Sequence, residues 1–104
     1  MDSDELRITG PLLKIVHQFL ENPEEQMSGA DLAQRTNVAS GTLYPILRRL
    51  EVAGWLTSVW EDVDPKVVGR PRRRLYKITA LGARKARIAI MDTFAPKGVP
   101  AWGL

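Results

Sequence analysis

Apolar residues recur along the chain at two different periods, and the change of period divides it into parts. Leu43, Ile46, Leu47 and Leu50 fall at i, i+3, i+4 and i+7, a single stripe at helical spacing. Ser40 just ahead of them is a good N-cap, because its hydroxyl can accept an amide of the first turn. At about 100° per residue the opposite face carries Gly41, Pro45 and Arg48, flanked by Thr42, Tyr44 and Arg49. Pro45 lies near the helix start, where few backbone hydrogen bonds are lost. One side is greasy; the other offers small residues, hydroxyls, a phenol and two guanidiniums. That make-up suits a helix laid in a DNA groove, where small residues allow approach and Arg, Tyr and Thr reach phosphates or base edges. On this stretch alone, an ordinary amphipathic surface helix fits as well.

The flanking pattern decides between them. Upstream, Thr9 can cap a helix with Gly10 and Pro11 in its first turn. Leu12, Leu13, Val16, Phe19 and Leu20 form its stripe and Ile15 its margin. Asn22-Pro23-Glu24-Glu25 ends it in a turn, with the glutamates read as a solvated loop. Ser28-Gly29-Ala30-Asp31 has the pattern of a capping box with Asp in place of Glu. The short helix it opens, with Leu32 and Ala33 inward, stops at Thr36-Asn37, since Asn tolerates the left-handed conformation. So tight a connection to Ser40 predicts a helix-turn-helix; the generic alternative is an αα-hairpin in a small bundle. Glu51-Val52-Ala53-Gly54 ends the recognition-like helix at a glycine. The period then changes. Trp55 to Glu61 reads as a strand, Asp62 to Pro71 as a polar loop, and Arg72 to Thr79 as a returning strand. These elements predict an α+β, mainly helical fold: a winged helix-turn-helix with a two-stranded wing.

Thr79 caps a last helix. Ala83, Ala86, Ile90 and Phe94 make one stripe on it, while Ile88 and Met91 lie on the other side. A terminal helix apolar on two sides cannot bury both against one small domain, so the spare side points to a second copy of the chain. From Ala95 to Leu104 the chain is Pro/Gly-rich, and Trp102 and Leu104 leave open whether this tail packs or stays free. The expected division is a winged helix-turn-helix at 1–79 and a dimerisation helix and tail at 80–104.

Composition narrows the chemistry. With 104 residues, the chain is sized for one domain and one modest core. It has no cysteine, hence no disulfide or thiolate metal site, which fits a reducing, cytoplasmic setting. No apolar run approaches the roughly 20 residues of a membrane span, and the acidic Met1-Asp2-Ser3-Asp4-Glu5 is unlike a signal peptide, so no membrane partner is expected. His17, the single histidine, cannot build a metal cluster or a triad and is read as packing or surface. Without a Gly-rich phosphate loop or a nucleophile elbow either, neither an enzyme nor a cofactor is expected. The net charge of +3 hides a split: residues 1–64 hold 5 basic and 11 acidic side chains, whereas 65–104 hold 10 basic and 1 acidic. Such a split points to a polyanion touching one side of the molecule. Arg70, Arg72, Arg73 and Arg74 sit at the expected wing tip, placed to neutralise phosphates or reach the minor groove. No acidic residue occurs between Pro65 and Met91, so these arginines lack close sequence partners, which favours an external anion over a solvated hairpin end.

Ser40 to Trp55, followed by Gly69-Arg70-Pro71-Arg72-Arg73-Arg74-Leu75-Tyr76-Lys77-Ile78-Thr79-Ala80-Leu81-Gly82, closely resembles the PadR family of bacterial transcriptional regulators. The Thr-Leu-Tyr-Pro helix, the Leu-Glu-x-x-Gly turn and the Arg-x-Tyr-x-x-Thr-x-x-Gly exit are specific together, and the likeness runs from about Gly10 to Arg87. It implies a winged-helix homodimer on a palindromic promoter element, usually a repressor released by a small molecule. It further implies that the helix at Ser40–Gly54 enters the major groove, with Tyr44 among the contacts, and that the basic hairpin is the wing. The chain departs from longer members in having a single helix after the wing.

The expected DNA contacts are therefore Ser40, Thr42, Tyr44, Arg48 and Arg49 from the helix and Arg70, Arg72, Arg73 and Arg74 from the wing. The expected dimer surface is Ala83, Ala86, Ile88, Ile90, Met91 and Phe94. Trp55, Trp60 and Trp102 raise the idea of an aromatic-lined pocket for a planar effector at a dimer interface. The preferred alternative has Trp55 and Trp60 packing the wing onto the helices. A winged helix that binds protein rather than double-stranded DNA is the competing function.

Overall fold

The computed structural model describes residues 6–94, so the expectations placed on residues 1–5 and on the tail, Trp102 and Leu104 included, lie outside the described residues. The elements run α1 (Gly10–Glu21), β1 (Met27–Ser28), α2 (Gly29–Thr36), α3 (Ser40–Val52), β2 (Leu56–Trp60), α4 (Pro65–Val68), β3 (Arg74–Ile78) and α5 (Ala80–Phe94). Mainly helical with a small antiparallel sheet, this is the expected winged helix.

Thr9 caps α1, its hydroxyl accepting from the Leu12 amide at 3.3 Å. The buried line of α1 is Leu12, Ile15, Val16 and Phe19. Ile15 therefore belongs to the core, and Leu13 and Leu20 are only half-buried. The stripe is turned slightly from its expected centre because α1 packs against α2, α3 and α5 together. Ser28 and Asp31 form the expected capping box, each side chain paired to the other's amide at 3.1 Å. Asn37 ends α2 at φ 59°, and its amide bonds to the Ala33 carbonyl at 2.9 Å. Thr36 is buried, donating to the Leu32 carbonyl at 2.6 Å and accepting from the Val38 amide, which satisfies the turn.

Helix α3 starts one residue earlier than expected. Ala39 is its N-cap, with the Thr42 and Leu43 amides bonded to the Ala39 carbonyl, and no side chain caps it. Ser40 is thus a first-turn residue, and its exposed hydroxyl makes no capping bond. Pro45 inside the helix and Gly41 in its first turn together cost up to about 4 kcal/mol of intrinsic helix preference. Burial of Leu43, Ile46, Leu47 and Leu50 offsets this, at roughly 1.5–3 kcal/mol for each side chain. Tertiary packing therefore holds α3, not propensity. At its end Gly54, φ 82°, closes a Schellman motif: the Trp55 amide reaches the Leu50 carbonyl and the Gly54 amide that of Glu51.

The sheet has three strands in the order β1-β3-β2, not two. Met27 pairs with Tyr76, and β2 runs antiparallel to β3 from Leu56↔Ile78 to Trp60↔Arg74. Two residues cannot carry a recognisable alternation, so β1 is invisible until β3 arrives beside it. Strand β3 begins at Arg74, not Arg72, and the loop expected to be irregular holds the single-turn helix α4. Asp64 caps it by accepting from the Lys66 amide at 2.9 Å, and Gly69 ends it at φ 73°.

Thr79 locks α5 to the body. Its hydroxyl donates to the Gly54 carbonyl at 2.7 Å and accepts from the Gly82 amide at 2.9 Å. Gly82, Ala83 and Ala86 are buried and Ile90 half-buried, but Phe94 is 75 % exposed, so the inward stripe stops a turn short of its expected end. Ile88 and Met91 are exposed as well.

Candidate nucleic-acid interface

With Leu43, Ile46, Leu47 and Leu50 committed to the core, the period of α3 leaves Ser40, Thr42, Tyr44, Arg48 and Arg49 exposed. Among the described residues, no ion pair or side-chain hydrogen bond engages the guanidiniums of Arg48 and Arg49. Tyr44 leans across the start of α2, where a Cβ on Gly29 would come within 2.6 Å of its ring Cζ. Glycine there lets the phenol lie against the backbone of α2, and a larger residue would displace the exposed ring.

In the wing the four arginines separate. Arg70 is paired in a fork with Glu61, at 2.7 and 3.0 Å, and Glu61 also accepts from the Arg73 amide at 3.2 Å. The hydrogen bonds from Arg70, then the Arg73 amide, hold the Glu61 carboxyl down at about 2 against burial. Arg74 donates to Ser58 Oγ at 2.8 Å, lies 3.6 Å from Glu51 Oε2 and stacks over Trp60 at 5.2 Å from the ring centre. Ser58 in turn donates to Glu51 at 2.6 Å, so Arg74 ties the wing to the last turn of α3. The acidic partners that nearby sequence lacks arrive from Glu51 and Glu61 through strand pairing, which corrects the expectation that all four arginines await an external anion. Arg72 spends only its Nε, on the Val63 carbonyl at 2.9 Å, and the exposed Arg73 side chain has no partner among the described residues.

Tyr44 and the wing arginines border one cleft of about 350 Å³, which Gly29, Ala30 and Tyr76 also line. The fold thus brings helix and wing residues to one opening. Sequence alone does not place Gly29, Ala30 or Tyr76 at the interface. The small Gly29 ahead of a capping box and the alternation of β3 were the available signals, but neither locates a cleft without the tertiary packing.

Glu61 gives the wing a pH dependence. Its folded pKa lies below the ordinary 4.5, so its contribution to stability is complete above about 4.5 and disappears as pH falls through about 2. Thermal melts of the wild type and Glu61→Gln should differ at pH 5 and converge toward pH 2. Parallel curves across that range would rule out Glu61 as the wing's latch.

Trp55 is buried as expected, whereas Trp60 is 60 % exposed and packs under Arg74 instead of joining wing to helices. Two open grooves flank α5. One of about 600 Å³ includes Leu13, His17, Ile90 and Phe94, and the other, of about 640 Å³, includes Ile8, Val52, Trp55 and Ile88. His17 is exposed, 3.9 Å from Glu21. No cluster of three or more His, Cys, Asp or Glu suited to a metal occurs among the described residues, and none of their helices is long and apolar enough to cross a membrane.

Solved structures place this geometry among known regulators. A PadR family transcriptional regulator from Eggerthella lenta superposes with a TM-score of 0.64 at 28% identity, over 81% of this chain and 72% of its own. AbfR of Staphylococcus epidermidis, in its reduced form bound to DNA, gives 0.64 at 20% identity over 86% of this chain and 59% of its own, a likeness of fold. NadR in complex with 4-hydroxyphenylacetate gives 0.63 at 26% identity, over 84% and 58%. The chain spans 62% and 54% of the length of two further AbfR chains that it matches. Among curated protein sequences none matches. The model of the PadR-like family of transcriptional regulators matches residues 24–88, from the turn before β1 through the first half of α5, and the chain belongs to that family.

Proposed function

We propose that this chain is a repressor that binds a palindromic operator as a homodimer in the cytoplasm, with α3 in the major groove and the wing on the flanking backbone. The observation that carries the reading is the shared cleft: Tyr44 of α3 and the incompletely paired Arg72 and Arg73 of the wing border one opening. Ser40, Thr42, Arg48 and Arg49 extend the α3 side of this surface. Arg70 and Arg74 act one step back, shaping the wing that presents their neighbours. Dimerisation through α5 is supported by the exposed Ile88, Met91 and Phe94. Release by a planar aromatic effector completes the proposal; NadR, of similar fold, was solved in complex with an aromatic acid, 4-hydroxyphenylacetate. Saturable quenching of tryptophan fluorescence by aromatic compounds, with loss of DNA, tests that part, and a broad panel without effect would retire it.

Two variant sets test helix against wing once genomic binding-site mapping has supplied the operator. Arg48→Ala should lower specific binding by roughly 1–3 kcal/mol and weaken binding to random duplex less, as expected for a side chain that reads a base. Replacing Arg72 and Arg73 together by Ala should weaken all duplexes alike and flatten the salt dependence by about two units, close to one per lost phosphate contact. An unchanged salt slope in the double variant would remove the wing from the interface. Binding that ignores salt altogether would favour a protein partner.

A further inference from the structure

Tyr76 sets a puzzle that the DNA-contact residues do not absorb. It lies on β3, paired with Met27 on one side and Ser58 on the other, and is 8 % exposed. Its hydroxyl makes no side-chain hydrogen bond to any described residue. Yet no fully occluded side-chain nitrogen or oxygen among those residues lacks a partner. The hydroxyl oxygen is therefore not fully occluded, and the cleft that Tyr76 lines is the one that Tyr44 and the wing arginines border. Burial, and then the nearby Glu51 carboxylate, push the phenol's pKa up, so the group stays protonated and can donate.

The rest of the cleft lining supplies matching chemistry. The first turn of α2, Gly29 and Ala30, borders the same cleft, and first-turn amides have no partner within their own helix. The positive end of the helix dipole points the same way. Asp31, the acidic group of that turn, has its carboxylate folded back onto the Ser28 amide. On the wing side, Arg70 is neutralised by Glu61 and Arg74 faces Glu51, which leaves Arg72 and Arg73 as the uncompensated charges.

We infer that this cleft is an oxyanion seat in which the Tyr76 hydroxyl and the first turn of α2 hold a phosphate group, with Arg72 and Arg73 supplying the charge. The group is either a backbone phosphodiester of bound duplex or free phosphate; the first source rests on the DNA-binding reading above, the second does not. Seating a backbone phosphate there would fix the depth of α3 in its groove from the α2 side. Tyr76 then acts without reading sequence, and its removal weakens every duplex equally.

Tyr76→Phe isolates the hydroxyl. Inorganic phosphate titrated into the full chain should shift the Gly29 and Ala30 amide resonances saturably, with affinity about tenfold weaker in the variant, as for a lost hydrogen bond to a charged acceptor. Random-sequence duplex, followed by anisotropy at fixed salt, should lose affinity by a similar factor. The melting temperature should not fall, because the hydroxyl has no partner to lose inside the protein. A duplex loss, with or without a phosphate loss, assigns the seat to the DNA backbone. A loss for phosphate alone assigns it to the free anion, and does so even if the wild type binds no DNA, in which case the operator reading fails while the seat stands. Equal affinities of wild type and variant for both probes, or a lowered melting temperature, overturn the seat.

Discussion

Gly82→Ala should lower the stability of the fold by about 3 kcal/mol, the upper part of the range for overpacking, because the added methyl meets backbone and no rotamer can relieve it. A Cβ at this position would collide with the Trp55 carbonyl oxygen and lie 2.7 Å from the Trp55 Cα. The contact is tight because Thr79 clamps the start of α5 onto the chain reversal after α3: its amide reaches the Trp55 carbonyl at 2.9 Å and its hydroxyl the Gly54 carbonyl. Since that reversal also sets where β2 leaves α3, the loss should be global and not a fraying of α5. For a domain of this size, 3 kcal/mol corresponds to a fall in melting temperature of about 10–20 °C. Gly10→Ala is the matched control, because a Cβ there meets nothing within 4 Å. Thermal and urea denaturation of both variants settle the matter, and a Gly82→Ala protein melting within two or three degrees of wild type would mean that α5 is free to move away from Trp55.

Ile88→Glu and Met91→Glu should each give a folded monomer whose affinity for the full palindrome is lower by a factor on the order of 10² or more, the gain that joining two half-site modules confers. Both side chains are about half exposed, so a carboxylate there costs the isolated chain little. In a two-fold dimer built on α5, the same carboxylate would be placed in an apolar interface. One module of this size covers about one half-site, and two related by a dyad set their recognition helices roughly 34 Å apart. Random-duplex binding should survive, since the wing is untouched. Light scattering, with binding to one half-site and to the palindrome, separates assembly from DNA contact. Variants that stay dimeric with wild-type operator affinity would move the interface to α1 or to the tail around Trp102.

Sequence by itself determined the elements whose cause is local. The i, i+3, i+4, i+7 line of α3, the Ser28/Asp31 capping box, the left-handed Asn37 and the glycine after α3 each depend on residues within a few positions of one another. Spacing and conformational preference therefore expose them directly. The aromatic and β-branched content of β2 and the short returning strand β3 are of the same kind, and together these elements make the winged helix legible. So is the family, through the Thr-Leu-Tyr-Pro helix and the Arg-x-Tyr-x-x-Thr-x-x-Gly exit. Tertiary structure alone decided everything that depends on which groups meet across the chain. Strand β1 exists because β3 offers it a ladder. Arg70 and Arg74 are spent on Glu61 and Glu51, acids that lie 9 and 23 positions earlier in the chain and that strand pairing brings within reach. Trp55 and Trp60, five residues apart, part ways because one closes the turn against the core and the other stands beyond it on the wing. Gly29 and Gly82 look like any helical glycine in the sequence, but packing places an aromatic ring against one and a backbone carbonyl against the other. Charge counted along a sequence measures supply; only the folded contacts decide which charges are already neutralised and which remain for a partner.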